Sequence, residues 1–294
     1  MNGFATKQTA ELHLECTSPL SEMYTLSPFA WQDHAGYSLL LRAVPHSDNP
    51  AEKIAEIYYG RSDDGLHFKM NDHPVIAPGP DEADRDGCED PTLVFDQDTC
   101  FVYYTGWNET KKEGQLLLAT GREPWNLNKQ GVALPSSNGH ANPKEATVIS
   151  VGDGTWRLFF EYAEAGASKI GMATSPKADG PWTITAPLVI ARPDKWDAWH
   201  LSTGPILSAN PECPVMFYNG ATQDAHWRIG WIAFNSGYTE IVARCGEPLI
   251  VPQPSSPGDT DIAFASSCVE VADEIFLYYS TADKDMRRAT IHRL

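Results

Sequence analysis

The chain has no long hydrophobic run. Its longest apolar stretches, such as residues 101–104 and 275–279, fall far short of the roughly 20 residues that a helical membrane span needs. The opening Met-Asn-Gly-Phe-Ala-Thr-Lys lacks an apolar core of about 7–15 residues, so no secretory signal and a cytoplasmic location are expected. Positive charge is also scarce: 22 Lys and Arg stand against 39 Asp and Glu, a net charge of −17 over 294 residues. That balance argues against nucleic acid or an anionic membrane as partner and leaves a neutral small molecule as the expected ligand. The six cysteines (Cys16, Cys88, Cys100, Cys213, Cys245 and Cys268) form no C-x-x-C pair and have no His at metal-finger spacing. Reduced thiols, with no structural metal and no cofactor, are expected. Nothing in the sequence demands association between copies, and no stretch sustains a helical period.

Aromatic residues are plentiful: 11 Tyr, 11 Phe and 9 Trp fall in short clusters punctuated by 22 Gly and 22 Pro, an all-β pattern. Five clusters align with one another, at residues 37–42, 100–105, 156–161, 213–218 and 274–279, and their starts lie 63, 56, 57 and 61 residues apart. Each follows one strand candidate (26–31, 91–95, 146–151, 205–207, 262–271) and precedes another (57–62, 116–120, 170–175, 229–234, 287–291). This repeat predicts a single domain over residues 1–294, a five-bladed β-propeller with four-stranded blades around a central funnel. A β-sandwich also alternates short strands with turns, but it gives no reason for a repeat at this spacing.

In such a fold, polar residues entering the first strands converge on the axis. They are Ser27, Glu89, Asp90, Lys144, Glu145, His200 with residues 201–203, and residues 259–261; the ends of second strands add Arg42, Thr105 with Trp107, Glu161, Asn219 and Asp283. Carboxylates beside Trp107, Trp199 and Trp227 suit a sugar, whose hydroxyls the carboxylates grip while aromatic faces cover its rings. Two such carboxylates make a glycosidase candidate, one donating a proton and the other assisting the nucleophile. Plainer readings exist: Asp90 before Pro91 and Asp283 in Thr-Ala-Asp-Lys also suit turns, and His200 and His226 are two of nine histidines. Glu161 resists a plain reading, because it ends the apolar run Trp156-Arg-Leu-Phe-Phe160, where a charge is costly unless paired or used.

Gly87-Cys-Glu-Asp-Pro91, Tyr103-Tyr-Thr105, Lys144-Glu-Ala-Thr147, Trp199-His-Leu-Ser-Thr-Gly-Pro205, Gly246-Glu-Pro-Leu-Ile-Val-Pro252 and Tyr278-Tyr-Ser-Thr-Ala-Asp283 follow in order. Together they resemble glycoside hydrolase family 130, the β-mannoside phosphorylases and β-mannosidases, from about Leu26 to the C-terminus. The resemblance implies a five-bladed propeller with a funnel-shaped site and inversion at the anomeric carbon. It implies that Asp90 is the general acid, its proton reaching the glycosidic oxygen through a sugar hydroxyl. Asp283 is similar to a residue that binds the glycone, and Arg42 and Ser27 look like further sugar contacts.

The departures concern phosphate. Where phosphorylases resembling this chain hold the anion with cations, Thr92 stands for an Arg, Phe160-Glu161 for His-Arg, His200 for a Lys, Asn219-Gly220 for His-Gly and Trp227 for a Tyr. Fewer cations and an added carboxylate suit water better than phosphate. The expected function is therefore an inverting β-mannosidase acting on small oligosaccharides, with Asp90 as acid, Glu161 as base and Glu145 as the reserve base. Glu89, Trp107, Lys144, His200, Asn219 and His226 complete the expected substrate contacts. The alternatives are a phosphorylase using Lys144, His200, His226 and Arg228, and a propeller that binds carbohydrate without turnover.

Overall fold

The structure, a computed structural model, describes residues 3–49, 52–207, 210–252 and 261–294. Of the candidate residues 259–261, Asp259 and Thr260 lie outside the described residues. Two strands open the chain, β1 (Phe4–Glu11) and β2 (His13–Glu15). Sheet I follows as β3 (Met23–Asp33), β4 (Gly36–Pro45), β5 (Glu56–Ser62) and β6 (His67–Met70), an antiparallel meander to which β2 adds a parallel edge. Sheet II is β7 (Cys88–Asp96), β8 (Thr99–Asn108), β9 (Glu113–Glu123) and β10 (Asn126–Leu134). Sheet III is β11 (Ala141–Ser150), β12 (Trp156–Glu164), β13 (Ala167–Ser175) and β14 (Thr183–Thr185). All of this matches an all-β fold, with strands at the expected places and longer than expected.

The fourth unit departs from the pattern. Its strands are short: β15 (His200–Ser202), β16 (Ile206–Leu207), β17 (Val215–Met216), β18 (Asn219–Ala221), β19 (Trp227–Ile229), β20 (Ile232–Phe234) and β21 (Ile241–Arg244). They pair as two sheets, β15-β18-β19 and β16-β17-β20-β21. The break falls at Gly204-Pro205, where a Cβ on Gly204 would sit 1.8 Å from the Phe217 carbonyl oxygen and Pro205 offers no N–H to the ladder. The Phe217 and Gly230 amides still donate to the Pro205 and Tyr218 carbonyls, both at 2.9 Å, so hydrogen bonding continues across the gap. The last unit is β22 (Ala263–Val271), β23 (Glu274–Thr281) and β24 (Asp285–Arg293), and its fourth strand is β1, paired antiparallel with β24.

Side chains alternate along each strand, and the core divides accordingly. Leu40, Ile57 and Tyr59 of sheet I pack with Val102 and Tyr104 of sheet II, whereas Tyr103 and Leu118 face Leu158 and Phe160 of sheet III. Phe159 and Ile170 then meet Met216 and Phe234 of the fourth unit. Val215 and Phe217 meet Ile275 and Leu277 of the fifth, and Tyr278 and Val269 return to Leu39, Leu41 and Tyr58 of sheet I. Five apolar clusters thus join each unit to the next and the last to the first. All six cysteines are free thiols. No helix among the described residues is long and apolar enough to cross a membrane, and no group of three or more His, Cys, Asp or Glu among them could hold a metal.

Candidate active site

The first strands of sheets I, II and III share a local device. In each the register slips, between Leu26 and Phe29, Glu89 and Thr92, and Lys144 and Thr147. At each slip one residue takes a left-handed backbone: Ser27 (φ 51°), Asp90 (φ 49°) and Glu145 (φ 50°). A non-glycine residue there is strained, and such a bulge re-aims its side chain. All three side chains line one cavity of about 600 Å³. Asp283 reaches the same cavity from the β23–β24 hairpin, whose Ala282 and Asp283 are both left-handed at φ 53°.

Arg42 of β4 binds Glu89 at 2.7 Å and Asp90 at 3.4 Å. Ser27 Oγ donates to Asp90 Oδ1 at 2.7 Å, and the Ser27 amide donates to Ser280 Oγ at 2.9 Å. Asp90 is only 5% exposed. Across the cavity Lys144 and Glu161 sit opposite each other on β11 and β12, 3.3 Å apart. Ser168 Oγ donates to the same Glu161 oxygen, Oε1, at 2.7 Å. Glu161 is 3% exposed, and its Oε2 is buried with no protein partner among the described residues. A buried carboxylate oxygen without a donor is expensive, so a ligand group that donates a hydrogen bond is favoured there.

Burial raises the pKa of Glu145 well above its ordinary value, with Asp90 and Glu161 adding repulsion and Lys144 and Arg42 opposing them. Burial likewise raises Glu89 and Asp283, reinforced by Asp90 and countered by Arg42. Glu161 raises the pKa of Lys144 against the cost of burial. For Arg42 burial works against the charge, but Glu89, Asp90 and Glu145 outweigh it. Both cations are therefore held charged by carboxylates already present.

This crowding has a stability consequence. Glu145 binds its proton more tightly in the folded chain than at its ordinary value of 4.5. The stability this brings is whole below about pH 4.5 and is lost as pH rises through the folded pKa. Glu145→Gln should therefore melt higher than the parent at pH 8, each kcal/mol regained adding about 2 °C in a chain of this size. The gap should close towards pH 4. Thermal denaturation across that range checks it, and a gap independent of pH would contradict it.

Eight of the twelve expected site residues line the cavity: Ser27, Arg42, Glu89, Asp90, Lys144, Glu145, Glu161 and Asp283. Four do not. Trp107 turns its Nε1 to Glu109 at 2.9 Å. Asn219 is fully buried and bridges two units, donating to the Thr203 carbonyl at 2.6 Å and accepting from the Ala265 amide at 2.7 Å. His226 is half-exposed, with Nδ1 3.3 Å from Asp224 and 3.6 Å from Asp261. His200 stands one layer behind: its Nδ1 accepts from the Ser168 amide at 3.1 Å and its ring lies 5.6 Å from that of Trp227. Burial lowers the His200 pKa, although Glu161 pulls the other way.

The sequence reading missed Ser168, which ties Glu161 to His200, as well as Tyr24 and Phe264; Phe264 meets Trp227 edge-on at 5.3 Å on the cavity wall. Trp227 was the one aromatic of the three suggested that does line the cavity. Lys53 and Lys284 complete the charged lining. Thr92 is absent from it; its hydroxyl donates to the Ala146 carbonyl at 2.6 Å.

Residues 46–293 match the family profile of glycoside hydrolase family 130, described as β-1,4-mannooligosaccharide phosphorylase. The chain belongs to glycoside hydrolase family 130. A curated relative, the β-1,2-mannobiose phosphorylase of Listeria innocua, is 22% identical over 242 residues, spanning 79% of this chain and 65% of the relative. A solved structure of the Listeria innocua enzyme with β-1,2-mannobiose superposes with a TM-score of 0.79 at 18% identity, covering 97% of this chain and 91% of that one. A second family 130 structure, from work on glycoside hydrolases that target β-1,2-mannosidic linkages in Candida mannan, gives a TM-score of 0.80 at 21% identity, with 98% and 93% covered. At these identities the superpositions establish the shared all-β fold.

Proposed function

We propose that this family 130 chain is an inverting glycoside hydrolase acting on β-mannosides, a single five-bladed propeller whose funnel is the cavity described above. The cyclic order of the five apolar clusters supports the propeller. The observation that carries the reaction is Glu161: a buried carboxylate on the cavity wall, steadied by Lys144 and Ser168 through one oxygen and unpartnered at the other. That arrangement suits a general base, which needs a fixed carboxylate with a free acceptor for the proton of water.

In this reading a terminal mannosyl unit sits among Asp283, Glu89 and Arg42, which take its hydroxyls, with Trp227 and Phe264 supplying the apolar wall. Asp90 gives its proton to the glycosidic oxygen through a sugar hydroxyl as the bond breaks. Water loses a proton to Glu161 and adds to the opposite face of the anomeric carbon, inverting it. Carboxylates around the ring stabilise the oxocarbenium-like charge that develops. Lys144 keeps Glu161 oriented.

Phosphorolysis is the second reading. The family description and the curated relative, both phosphorylases, favour it over hydrolysis, and Lys53 and Lys284 line the cavity. Against it, Arg228 is held bidentate by Asp261 at 3.1 and 2.9 Å and His226 also faces acids. Of the four cations that reading called on, Lys144 alone lines the cavity, and it is paired with Glu161. Proton NMR of the first product formed from a β-linked mannobiose separates the two. Free α-mannose supports the proposal; α-mannose 1-phosphate overturns it.

A further inference from the structure

The left-handed residue Glu145 is held from both sides by hydroxyls of neighbouring units. Thr92, two residues beyond Asp90 on β7, donates to the carbonyl of Ala146 at 2.6 Å. Thr203, just past β15, donates to the carbonyl of Glu145 itself. Both peptide carbonyls that follow the Glu145 α-carbon are thus pinned, one from sheet II and one from the fourth unit. The same device recurs around the molecule. Thr147, two residues beyond Glu145, donates to the Gly204 carbonyl at 2.9 Å, and Ser267 donates to the Pro28 carbonyl, directly after Ser27, also at 2.9 Å. Asn219 fixes Thr203 in turn by donating to its carbonyl at 2.6 Å.

A left-handed glutamate is strained and persists only where its surroundings over-determine it. At Glu145 the surroundings act through these two carbonyl contacts. We propose that Thr92 and Thr203 form a two-sided latch that keeps Glu145 left-handed and its carboxyl directed into the cavity. They are positioning residues, acting on the reaction through Glu145; as a statement about catalysis this rests on the function proposed above. Released from the latch, the backbone at Glu145 relaxes and the carboxyl turns towards solvent.

Thr92→Val removes the hydroxyl at nearly constant volume, and Thr92→Ser keeps it. The latch predicts about a tenfold fall in kcat with a smaller change in KM for Thr92→Val and for Thr203→Val, and recovery of most of the loss in Thr92→Ser. In a Glu145→Gln background Thr92→Val should cost little more, because neighbours that act through one group are not additive. An equal cost in both backgrounds, or a serine variant as impaired as the valine one, overturns the latch. A readout without turnover keeps this separate from the assigned reaction: the pH-dependent melting gap between the parent and Glu145→Gln should shrink at least twofold when Thr92→Val is present in both. If β-mannosides are not turned over and the gap still shrinks, the latch stands and the reaction is wrong; an unchanged gap sinks the latch whatever the substrate.

Discussion

Glu161→Gln is expected to lower kcat for β-mannoside hydrolysis by about 10²- to 10⁴-fold, the usual weight of a general base. The amide still accepts from Ser168 and fills the same volume, so KM should move little. What is lost is the basicity of the carboxylate, whose Oε2 has no protein partner among the described residues. Glu161→Ala with added azide gives a sharper version, since azide needs no base and should restore turnover as the α-mannosyl azide. Were phosphate the nucleophile, removing this negative charge would ease anion binding, and phosphate-dependent turnover would survive in Glu161→Gln. Hydrolysis at the parental rate in that variant contradicts the base assignment.

Asp90→Asn should be equally damaging on an unactivated disaccharide, again by about 10²- to 10⁴-fold. The amide keeps an acceptor for Ser27 and Arg42 but has no proton to give. An aryl mannoside whose leaving group needs no protonation should suffer much less. The contrast between the two substrates is the measurement, because loss of binding or folding would lower both rates together. Equal loss on both substrates would assign Asp90 to binding.

Much of this arrangement was written in the sequence because it repeats. Aromatic runs at even spacing located the second strands of all five units, and alternation along each run sent Leu39 and Leu41 to one core cluster and Leu40 to another. Ser27, Asp90 and Glu145 were legible as residues entering first strands, but the bulges that carry them were not: a following proline favours extended backbone, whereas all three are left-handed. The left-handed turn at Glu145 sits between hydroxyls contributed by other units.

The parts not legible depend on partners far away in the chain. β1 is mostly exposed beyond Phe4 and pairs with Arg293 and its neighbours at the other end of the sequence, so nothing local announces that the first strand completes the last unit. Asn219 looked like a ligand at the end of an apolar run; its amide is consumed by the backbone of two units instead. Trp107 and His226 were drawn to the site by residue type, but each contacts an acidic neighbour and neither lines the cavity. Ser168 has no motif around it, and its meaning appears only when β13 brings it between Glu161 and His200.

The most direct test of the whole account is the initial rate of cleavage of a β-linked mannobiose as inorganic phosphate is varied from zero, with both products identified. Water as nucleophile predicts free mannose at a rate that phosphate leaves unchanged or inhibits. Turnover that is absent without phosphate, rises with it and yields mannose 1-phosphate would contradict the role given to Glu161 and make the chain a phosphorylase.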